Sequence, residues 1–283
     1  MIKKYKIIIL GAGGFISKNV ENLLNKSNIK LLPLPRKKID LTKFESIKKL
    51  SKIVKEKDII FFAAADAPVK NENMLLNNLM MAKNMCEVLK KIKPSFFLYL
   101  SSDAVYSDTK KKIDENTSTV PNSLHGIMHL TREIMFENLI KRKLCIVRPT
   151  LVYGEGDPHN GYGPNRFMRL IKRNQKVSLF GKGEELRDHV WINDVSIAIS
   201  KLIINRKIGK FNLVTGKVTS FNNIAKQIIN ISKKKSEIFY LKRKGPMPHG
   251  GYRAFKNSRF ERVFPTFKFK SFQQVLKYLY KKK

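Results

Sequence analysis

Apolar runs rich in β-branched and aromatic residues alternate with amphipathic stretches of helical period through most of this chain. The apolar runs predict strands at residues 7–10, 30–34, 58–64, 95–101, 144–150 and 211–214. The segments between them predict helices at residues 42–55, 73–91, 123–141 and 194–205. Parallel strands need long crossovers, which helices supply. The alternation therefore predicts an α/β fold, a doubly wound parallel sheet covered by helices on both faces.

The composition of the connections changes after Gly154. Gly, Pro and Asn become frequent there, as in residues 156–164 and 245–251. Loops of this kind beside a rigid sheet are candidate substrate walls, and they also serve as ordinary turns. We predict a first domain over residues 1–154, whose sheet is completed by about residues 187–216, and a smaller lobe, mostly C-terminal, over residues 155–283.

The first predicted strand runs directly into a glycine-rich turn. Gly11-Ala12-Gly13-Gly14 follows Leu10, and an amphipathic stretch begins at Phe15. Glycine lets the backbone turn sharply and approach a ligand closely, and the free N–H groups of the helix start attract an anion. A strand, a tight glycine turn and a helix in this order indicate a site for a dinucleotide pyrophosphate.

The formal net charge of +35 suggests nucleic acid or an anionic membrane as a partner. Only 13 of the 57 basic residues are arginine, and the lysines are scattered along the whole chain. A scattered positive field attracts anionic ligands in general but does not form a base-stacking groove. We therefore predict no dedicated nucleic-acid site.

Two further features bear on where the protein works. Cys86 and Cys145 fall in a helical and a strand-like stretch, so we interpret both as reduced core residues. No apolar stretch approaches the roughly 20 residues that a membrane-spanning helix needs. We predict a cytoplasmic protein with no membrane partner.

Several short motifs follow one another in fixed order along essentially the whole chain. They are the glycine turn with Phe15 and Ile16, Asp40-Leu41, Ala63-Ala64-Ala65, Asn78, Ser101 to Tyr106, Arg148-Pro149-Thr150, Val152-Tyr153-Gly154, Leu179 to Gly183, Arg187-Asp188, and Ile192 to Val195. In this order they resemble the extended short-chain dehydrogenases/reductases of the NAD-dependent epimerase/dehydratase family, which act on nucleotide sugars. The resemblance implies a Rossmann fold. One departure is Ser17, which stands where the third glycine of the family's turn belongs.

The resemblance implies the residues that contact an NAD(P) cofactor. They are Gly11, Gly14, Phe15, Ile16, Arg36, Asp40, Leu41, Ala63, Ala64, Ala65, Asn78, His129 and Pro149. Among them, Arg36 follows the second strand, where an acidic residue suits the ribose 2′-hydroxyl of NAD and an arginine suits the 2′-phosphate of NADP. Arg36 therefore favours NADP over NAD.

The family's catalytic tyrosine and lysine are replaced in this chain. His125 stands at the tyrosine position and His129 at the lysine position, one helical turn later. An imidazole titrates near neutral pH, so His125 is able to accept the sugar hydroxyl proton, and His129 is able to donate an N–H to the ribose. Imidazole is shorter than phenol, and a shorter side chain reaches less far toward the sugar hydroxyl. The alternative that the helix is retained while its redox function is lost or altered therefore stays open.

Two residues that precede this helix in the chain complete the catalytic candidates. The resemblance implies that Ser102 holds the reacting sugar oxygen and that Asp103 is a general acid, although Asp103 equally fits a capping role at a strand end. Ala104 replaces the glutamate expected of a dehydratase, which disfavours a full 4,6-dehydration. Spacing of four residues also places His125, His129 and Glu133 on one face, as metal ligands would be, but the resemblance gives Glu133 a structural role.

The substrate-binding residues implied by the resemblance lie in the second half of the chain. Arg187 is expected to bind the nucleotide diphosphate, Asn165 and Arg166 the sugar nucleotide, and Arg253 a phosphate. Arg169 and Arg173 share a helical stripe with Arg166, and we interpret these two as a solvated face.

The sequence thus predicts an NAD(P)-dependent nucleotide-sugar epimerase or reductase of cell-surface polysaccharide synthesis. Its expected partner is a nucleotide sugar, and a homodimer is an expected assembly. Two alternatives stay open: an inactive relative that binds cofactor or sugar nucleotide without turnover, and a basic RNA-binding derivative of the same fold.

Overall fold

The computed structural model describes residues 5–27 and 29–281. Its strands, numbered in chain order, are β1 Lys6–Leu10, β2 Lys30–Leu34, β3 Ile59–Phe62, β4 Phe96–Leu100, β5 Leu144–Pro149, β6 Leu151–Tyr153, β7 Val177–Phe180, β8 Leu186–Trp191, β9 Gly209–Leu213, β10 Val218–Ser220, β11 Ile238–Leu241 and β12 Tyr252–Arg253. Its helices are α1 Phe15–Leu24, α2 Glu45–Ile53, α3 Glu72–Lys91, α4 Leu124–Ile140, α5 Pro164–Lys172, α6 Ile192–Ile204, α7 Phe221–Ser232, α8 Ser258–Val263 and α9 Phe272–Lys281.

The described residues divide into two compact units. Unit 1 comprises residues up to 107 together with 117–148 and 195–211, and unit 2 comprises 108–116, 149–194 and 212 onward. Both units are discontinuous in sequence because the chain passes between them more than once. Residues 187–216 were expected to complete the first sheet. In the structure β9 joins that sheet, whereas β8 belongs to a sheet of unit 2.

A six-stranded sheet in the order β2-β1-β3-β4-β5-β9 forms the centre of unit 1. The neighbouring strands from β2 to β5 are parallel. Strands β1 and β3 are almost entirely buried, as expected for a parallel sheet covered on both faces. The chain moves from β1 to β2 on one side and then to β3 on the other, so the strand order reverses at β1. The predicted doubly wound α/β fold is therefore confirmed, and ligands of such sheets bind at this switch point.

Polar caps fix where the helices beside the sheet begin. The Asn71 side chain accepts a hydrogen bond from Met74 N at 2.9 Å at the start of α3. The Ser123 side chain accepts one from Gly126 N at 3.1 Å at the start of α4. Each cap satisfies a backbone donor that has no partner within the helix. The cap thereby fixes the start of α4, whose second residue is His125.

Unit 2 contains two smaller sheets. Strands β10, β8 and β12 lie side by side, β6 also pairs with β8, and β11 pairs with β7. The pairing of β12 with β8 is parallel and places Arg253 in register with Arg187. Pro164 occupies the start of α5, where its missing N–H costs no helical hydrogen bond.

The cysteines agree with the sequence expectation. Cys86 and Cys145 are free and buried, and burial raises the pKa of both thiols. Over residues 5–27 and 29–281, none of the helices combines the length and apolar character needed to span a bilayer. The cytoplasmic location stays a prediction.

Candidate functional site

The glycine turn after β1 closes on the end of β3. Gly11 has φ of +84°, and a Cβ there would lie 2.6 Å from the Cα of Ala64. Only glycine allows the turn to lie this close to the neighbouring strand. Ser17, the departure from the glycine pattern, donates its hydroxyl to Gly11 O at 2.7 Å and so ties the first turn of α1 to the loop.

The start of α1 is suited to an anion. Gly14 precedes the helix without a capping side-chain hydrogen bond, and the first turn carries no acidic residue. The N–H groups at the start of the helix, beginning with Phe15 and Ile16, are therefore available to phosphate oxygens. This arrangement fits the pyrophosphate of a dinucleotide.

A cavity of about 230 Å³ opens beside the turn. Predicted cofactor residues that line it are Gly11, Gly14, Arg36, Asp40, Leu41, Ala63, Ala64 and Ala65. Ala12, Ile39, Asp66 and Met81, which sequence reasoning did not select, line it as well. The structure thus brings residues from the ends of β1, β2 and β3 together at the switch point of the sheet.

Arg36 and Asp40 carry the charges of this cavity. Arg36 Nε lies 3.7 Å from Asp40 Oδ2, and the Arg36 side chain is 64% exposed. Burial raises the pKa of Asp40, but the hydrogen bonds from Thr42 and the charge of Arg36 together lower it by more than burial raises it. The pKa of Asp40 therefore lies below its usual value. The carboxylate is therefore ionised, and the guanidinium beside it is accessible to an anion.

Asn78 does not line the cavity but forms hydrogen bonds with the loop that follows β3. Its side chain accepts from Asp66 N at 3.0 Å and donates to Asp66 O at 2.9 Å and to Met74 O at 2.8 Å. Asn78 is fully buried. Its amide therefore fixes the segment after β3 that forms part of the cavity wall. Pro149, another predicted cofactor residue, ends β5 and is buried.

His125 lies beside the turn that follows β4. Gly126 permits this contact, since a Cβ there would come within 2.2 Å of Ala104 O. Burial lowers the pKa of His125 below 6.5, although the nearby Asp103 carboxylate acts to raise it. Val69 N lies 3.5 Å from His125 Nδ1, a long contact. At neutral pH the imidazole is therefore uncharged and able to accept a proton.

His129 is buried deeper than His125. Its Nδ1 lies 2.7 Å from the Tyr99 hydroxyl, and its ring meets the His125 ring at a centroid distance of 4.7 Å and an angle of 89°. Burial, the neighbouring His125 and the Arg132 charge hold the pKa of His129 well below 6.5. His129 therefore carries no charge at neutral pH, unlike a lysine at the same position.

Ser102 and Asp103 form the turn beside His125. Ser102 Oγ accepts from Ala104 N at 3.2 Å and caps a short 3-10 helix at Asp103–Val105. Ser101 points the other way and donates to Glu133 Oε1 at 2.5 Å. Of the two serines, Ser102 is the partly exposed one, and its hydroxyl proton remains a donor for a ligand.

Glu133 is part of a buried ion pair. It binds Arg148 through both carboxylate oxygens, one of them at 2.9 Å from Nε, in addition to Ser101. The ion pair links α4 to β5. Within the described ranges no group of His, Cys, Asp and Glu side chains is arranged to hold a metal ion, so the spacing of His125, His129 and Glu133 does not produce a ligand set.

In unit 2, Arg187 and Arg253 lie side by side on neighbouring strands. Arg187 donates to Glu185 at 3.3 Å and to Pro248 O at 3.1 Å, and Arg253 donates to Asp108 at 2.9 Å. Both guanidinium groups are buried. Two adjacent guanidinium groups suit a bridging diphosphate, because each is able to form two parallel hydrogen bonds.

Sequence reasoning missed four residues around this arginine pair. Arg243 donates to Glu185 Oε1 at 2.6 Å, and His249 contacts both Asp108 and Arg253. Glu185 thus joins two arginines, and burial lowers the pKa of His249 in spite of the Asp108 carboxylate. No local pattern indicates these contacts, since Asp108 and Arg253 are 145 positions apart.

Arg169 and Arg173 of α5, predicted to lie on a solvated face, are partly exposed and exposed, respectively. Arg169 also donates to Asn160 Oδ1 at 3.1 Å and to His159 O at 2.8 Å in the loop before the helix. Asn165 is buried and holds Gly154 N at 2.9 Å and Asp157 at 2.7 Å. Arg169 and Asn165 therefore shape the loop, whereas Arg166 is exposed.

The chain is similar to known proteins in sequence. A family model described as "NAD dependent epimerase/dehydratase family" matches residues 7–213. A dTDP-D-glucose 4,6-dehydratase of Dictyostelium discoideum is 27% identical over 81% of this chain and 57% of its own length. A Bacillus subtilis protein described as an uncharacterized UDP-glucose epimerase is 26% identical over 72% of this chain and 66% of its own. The matches thus span less than two thirds of each of these relatives.

A solved structure has the same fold. The dTDP-4-dehydrorhamnose reductase of Bacillus anthracis in complex with NADP superposes with a TM-score of 0.83 at 20% identity. The superposition covers 98% of this chain and 99% of that protein. At this level of identity the likeness establishes the fold alone.

Proposed function

Since the chain belongs to the NAD dependent epimerase/dehydratase family, we propose that it is an NAD(P)-dependent epimerase or reductase of nucleotide sugars. In this proposal His125 and His129 replace the tyrosine and lysine of the family. The observation that supports this proposal most directly is the position of His125, which the close contact of Gly126 with the turn after β4 holds beside Ser102 and Asp103. Burial lowers the pKa of His125, so its imidazole is uncharged there. When bound, the nicotinamide supplies hydride transfer.

The proposed proton chemistry belongs to His125. The neutral imidazole accepts the hydroxyl proton of the sugar during oxidation and returns it during reduction. The Ser102 hydroxyl holds the same sugar oxygen, and the Asp103 carboxylate stabilises the imidazolium that forms. A single proton-transfer group suffices for reduction or epimerisation. The alanine at position 104 argues against 4,6-dehydration, since that reaction needs a second acid–base group.

Turnover of a nucleotide sugar tests this proposal. We expect the absorbance of reduced nicotinamide to change when purified protein and NADP(H) are mixed with members of a panel of UDP-, dTDP- and GDP-sugars in hydroxyl and keto forms. Epimerisation leaves no net change of cofactor, so products are also separated by chromatography. Binding of a nucleotide sugar with no turnover of any kind would instead support the inactive relative.

Arg187 provides a test of substrate binding. The in-register arginines Arg187 and Arg253 support a diphosphate site in unit 2. We expect Arg187→Ala to raise the dissociation constant of the nucleotide sugar about 10- to 100-fold, as the loss of a hydrogen bond to a charged group costs about 1.5–3 kcal/mol. Calorimetry measures it, and the exposed Arg173→Ala is the control. An unchanged constant in Arg187→Ala would make Arg187 a purely structural residue.

For the cofactor we propose NADP in preference to NAD. The accessible Arg36 guanidinium at the cavity edge supports a contact with the 2′-phosphate. We expect Arg36→Asp to weaken NADPH binding at least about 10-fold and to spare NADH, since a charge-assisted hydrogen bond to the 2′-phosphate is lost.

Fluorescence titration of both reduced cofactors measures this preference. Arg142→Asp makes the same change of charge at an exposed position outside the cavity and should alter neither affinity. Equal weakening of NADPH binding in the two variants would show a general effect of charge and would remove Arg36 from the site.

We also propose a homodimer formed through α3 and α4. These helices pack against each other in unit 1, and they expose Leu76, Met80, Ile127 and Ile134. An apolar face of this kind favours contact with a second copy. Sedimentation equilibrium should give twice the chain mass, and Leu76→Glu combined with Ile134→Glu should give the monomer. A monomeric parent protein would overturn this assembly.

A further inference from the structure

Arg132 is a buried cation under the wall of the nucleotide cavity. It is fully buried and donates to Ala64 O at 3.0 Å, and its guanidinium lies 5.0 Å from the Phe62 ring centroid. Its other nitrogen contacts are the sulfurs of Met81 and Met128. Ala64 and Met81 both line the cavity. In the part of the chain that the structure describes, no carboxylate forms an ion pair with Arg132, although a buried charge without such a partner is costly.

The Tyr99 phenol lies between Arg132 and His129. Its oxygen is 2.7 Å from His129 Nδ1, and the Arg132 guanidinium lies 5.8 Å from the centroid of its ring. A guanidinium has no acceptor, so the phenol proton cannot point to Arg132. Among the described residues, the hydrogen-bond partner of the phenol oxygen is His129 Nδ1. The phenol therefore donates its proton to His129 Nδ1.

This direction determines the tautomer of His129. An imidazole nitrogen that accepts a hydrogen bond carries no proton, so the proton of the neutral ring resides on Nε2. We propose that Tyr99 and Arg132 are positioning residues that hold His129 as a neutral Nε2–H donor for the cofactor ribose. The ribose contact rests on the proposed function, whereas the tautomer does not.

The charges around His129 favour this neutral donor. On its own helix His129 faces His125 and Arg132, from β4 it faces Tyr99, and the Asp103 carboxylate lies nearer to His125. The Arg132 charge opposes protonation of His129. Arg132 thus supplies the buried positive charge that a lysine at position 129 would carry, and the phenol orients the histidine that stands there instead.

Nitrogen NMR of the histidines tests the tautomer directly. The chain has 5 histidines, so protein labelled with ¹⁵N-histidine gives a spectrum simple enough to assign with a His129→Gln variant. Protonated and bare ring nitrogens have distinct ¹⁵N shifts. At pH 7, in the absence of cofactor and substrate, we expect His129 with a protonated Nε2 and a bare Nδ1. A protonated Nδ1 in the parent protein would overturn the proposal without any variant.

Tyr99→Phe removes the single hydroxyl on which the assignment depends. We expect the His129 nitrogens to change to a mixture of tautomers and NADPH binding to weaken about 3- to 10-fold, the equivalent of one hydrogen bond. Tyr153→Phe makes the same change at another buried phenol, whose hydroxyl has no hydrogen-bond partner among the described residues, and should alter neither measurement.

The two measurements separate this inference from the proposed function. An unchanged His129 spectrum in Tyr99→Phe would overturn the positioning role. A changed spectrum with unchanged NADPH affinity would keep the tautomer and reject the ribose contact. A protein without turnover on any sugar nucleotide would contradict the proposed function and leave the NMR result unaffected.

Discussion

Replacement of His125 by alanine should lower turnover about 10²- to 10⁴-fold, the range over which general acid–base groups contribute. The affinity for NADPH should stay the same, because the cavity that contains Arg36 and the glycine turn does not include His125. Steady-state rates and fluorescence titration measure the two quantities. Lys141→Ala, at an exposed residue just beyond α4, is the control for general damage to the helix.

The pH dependence of turnover identifies the base in the same experiment. Burial lowers the pKa of His125 below 6.5, and the base is active when unprotonated. Turnover should therefore be full at neutral pH and fall only as the pH decreases below 6.5. A phenol would instead place the acid limb near its own pKa of about 10, or at a lower value set by a neighbouring cation. A limb above neutral pH would exclude His125 as the base.

Restoring the family's tyrosine and lysine tests how efficiently His125 and His129 support catalysis. His125→Tyr with His129→Lys should reduce or preserve the rate if the parent uses imidazole efficiently. A lysine at 129 would also bring a second cation close to Arg132, which should lower stability. A large gain in rate from a nearly silent parent would contradict catalysis by His125 and support the inactive relative.

The largest effect on stability is expected at Glu133. Glu133→Gln should lower the free energy of unfolding by about 3–5 kcal/mol, because it leaves the buried Arg148 guanidinium without its counter-charge. Urea unfolding followed by circular dichroism measures the difference. The Ser101 hydroxyl also loses a charged acceptor. Cofactor binding should survive in conditions where the variant remains folded.

Glu137 offers a matched control one turn further along α4. It pairs with Lys210 at 2.9 Å, but both side chains are partly exposed. Exposed pairs contribute about 0–1 kcal/mol, so Glu137→Gln should have little effect. An equal loss of stability in the two variants would show that burial of the Glu133–Arg148 pair does not decide its contribution.

The order of elements in unit 1 could be predicted from the sequence. Buried runs such as Ile7 to Leu10 indicate strands by their composition alone, because a strand covered on both faces must be apolar on both. The glycine turn was also visible, since the positive φ of Gly11 is a local requirement. Local rules of this kind act over a few residues, which is why spacing and composition revealed them.

Only the tertiary structure decided what the side chains contact. His129 is 30 positions from Tyr99, and Arg132 is 68 from Ala64, so neither neighbour follows from the helix that carries them. The same holds for Arg169, whose contact with Asn160 in the preceding loop does not follow from its position on α5. A periodic pattern determines which face of an element is buried. The atoms that this buried face contacts belong to distant segments of the chain. Those atoms determine the tautomer of a histidine, the charge of a group or the role of a residue in the site.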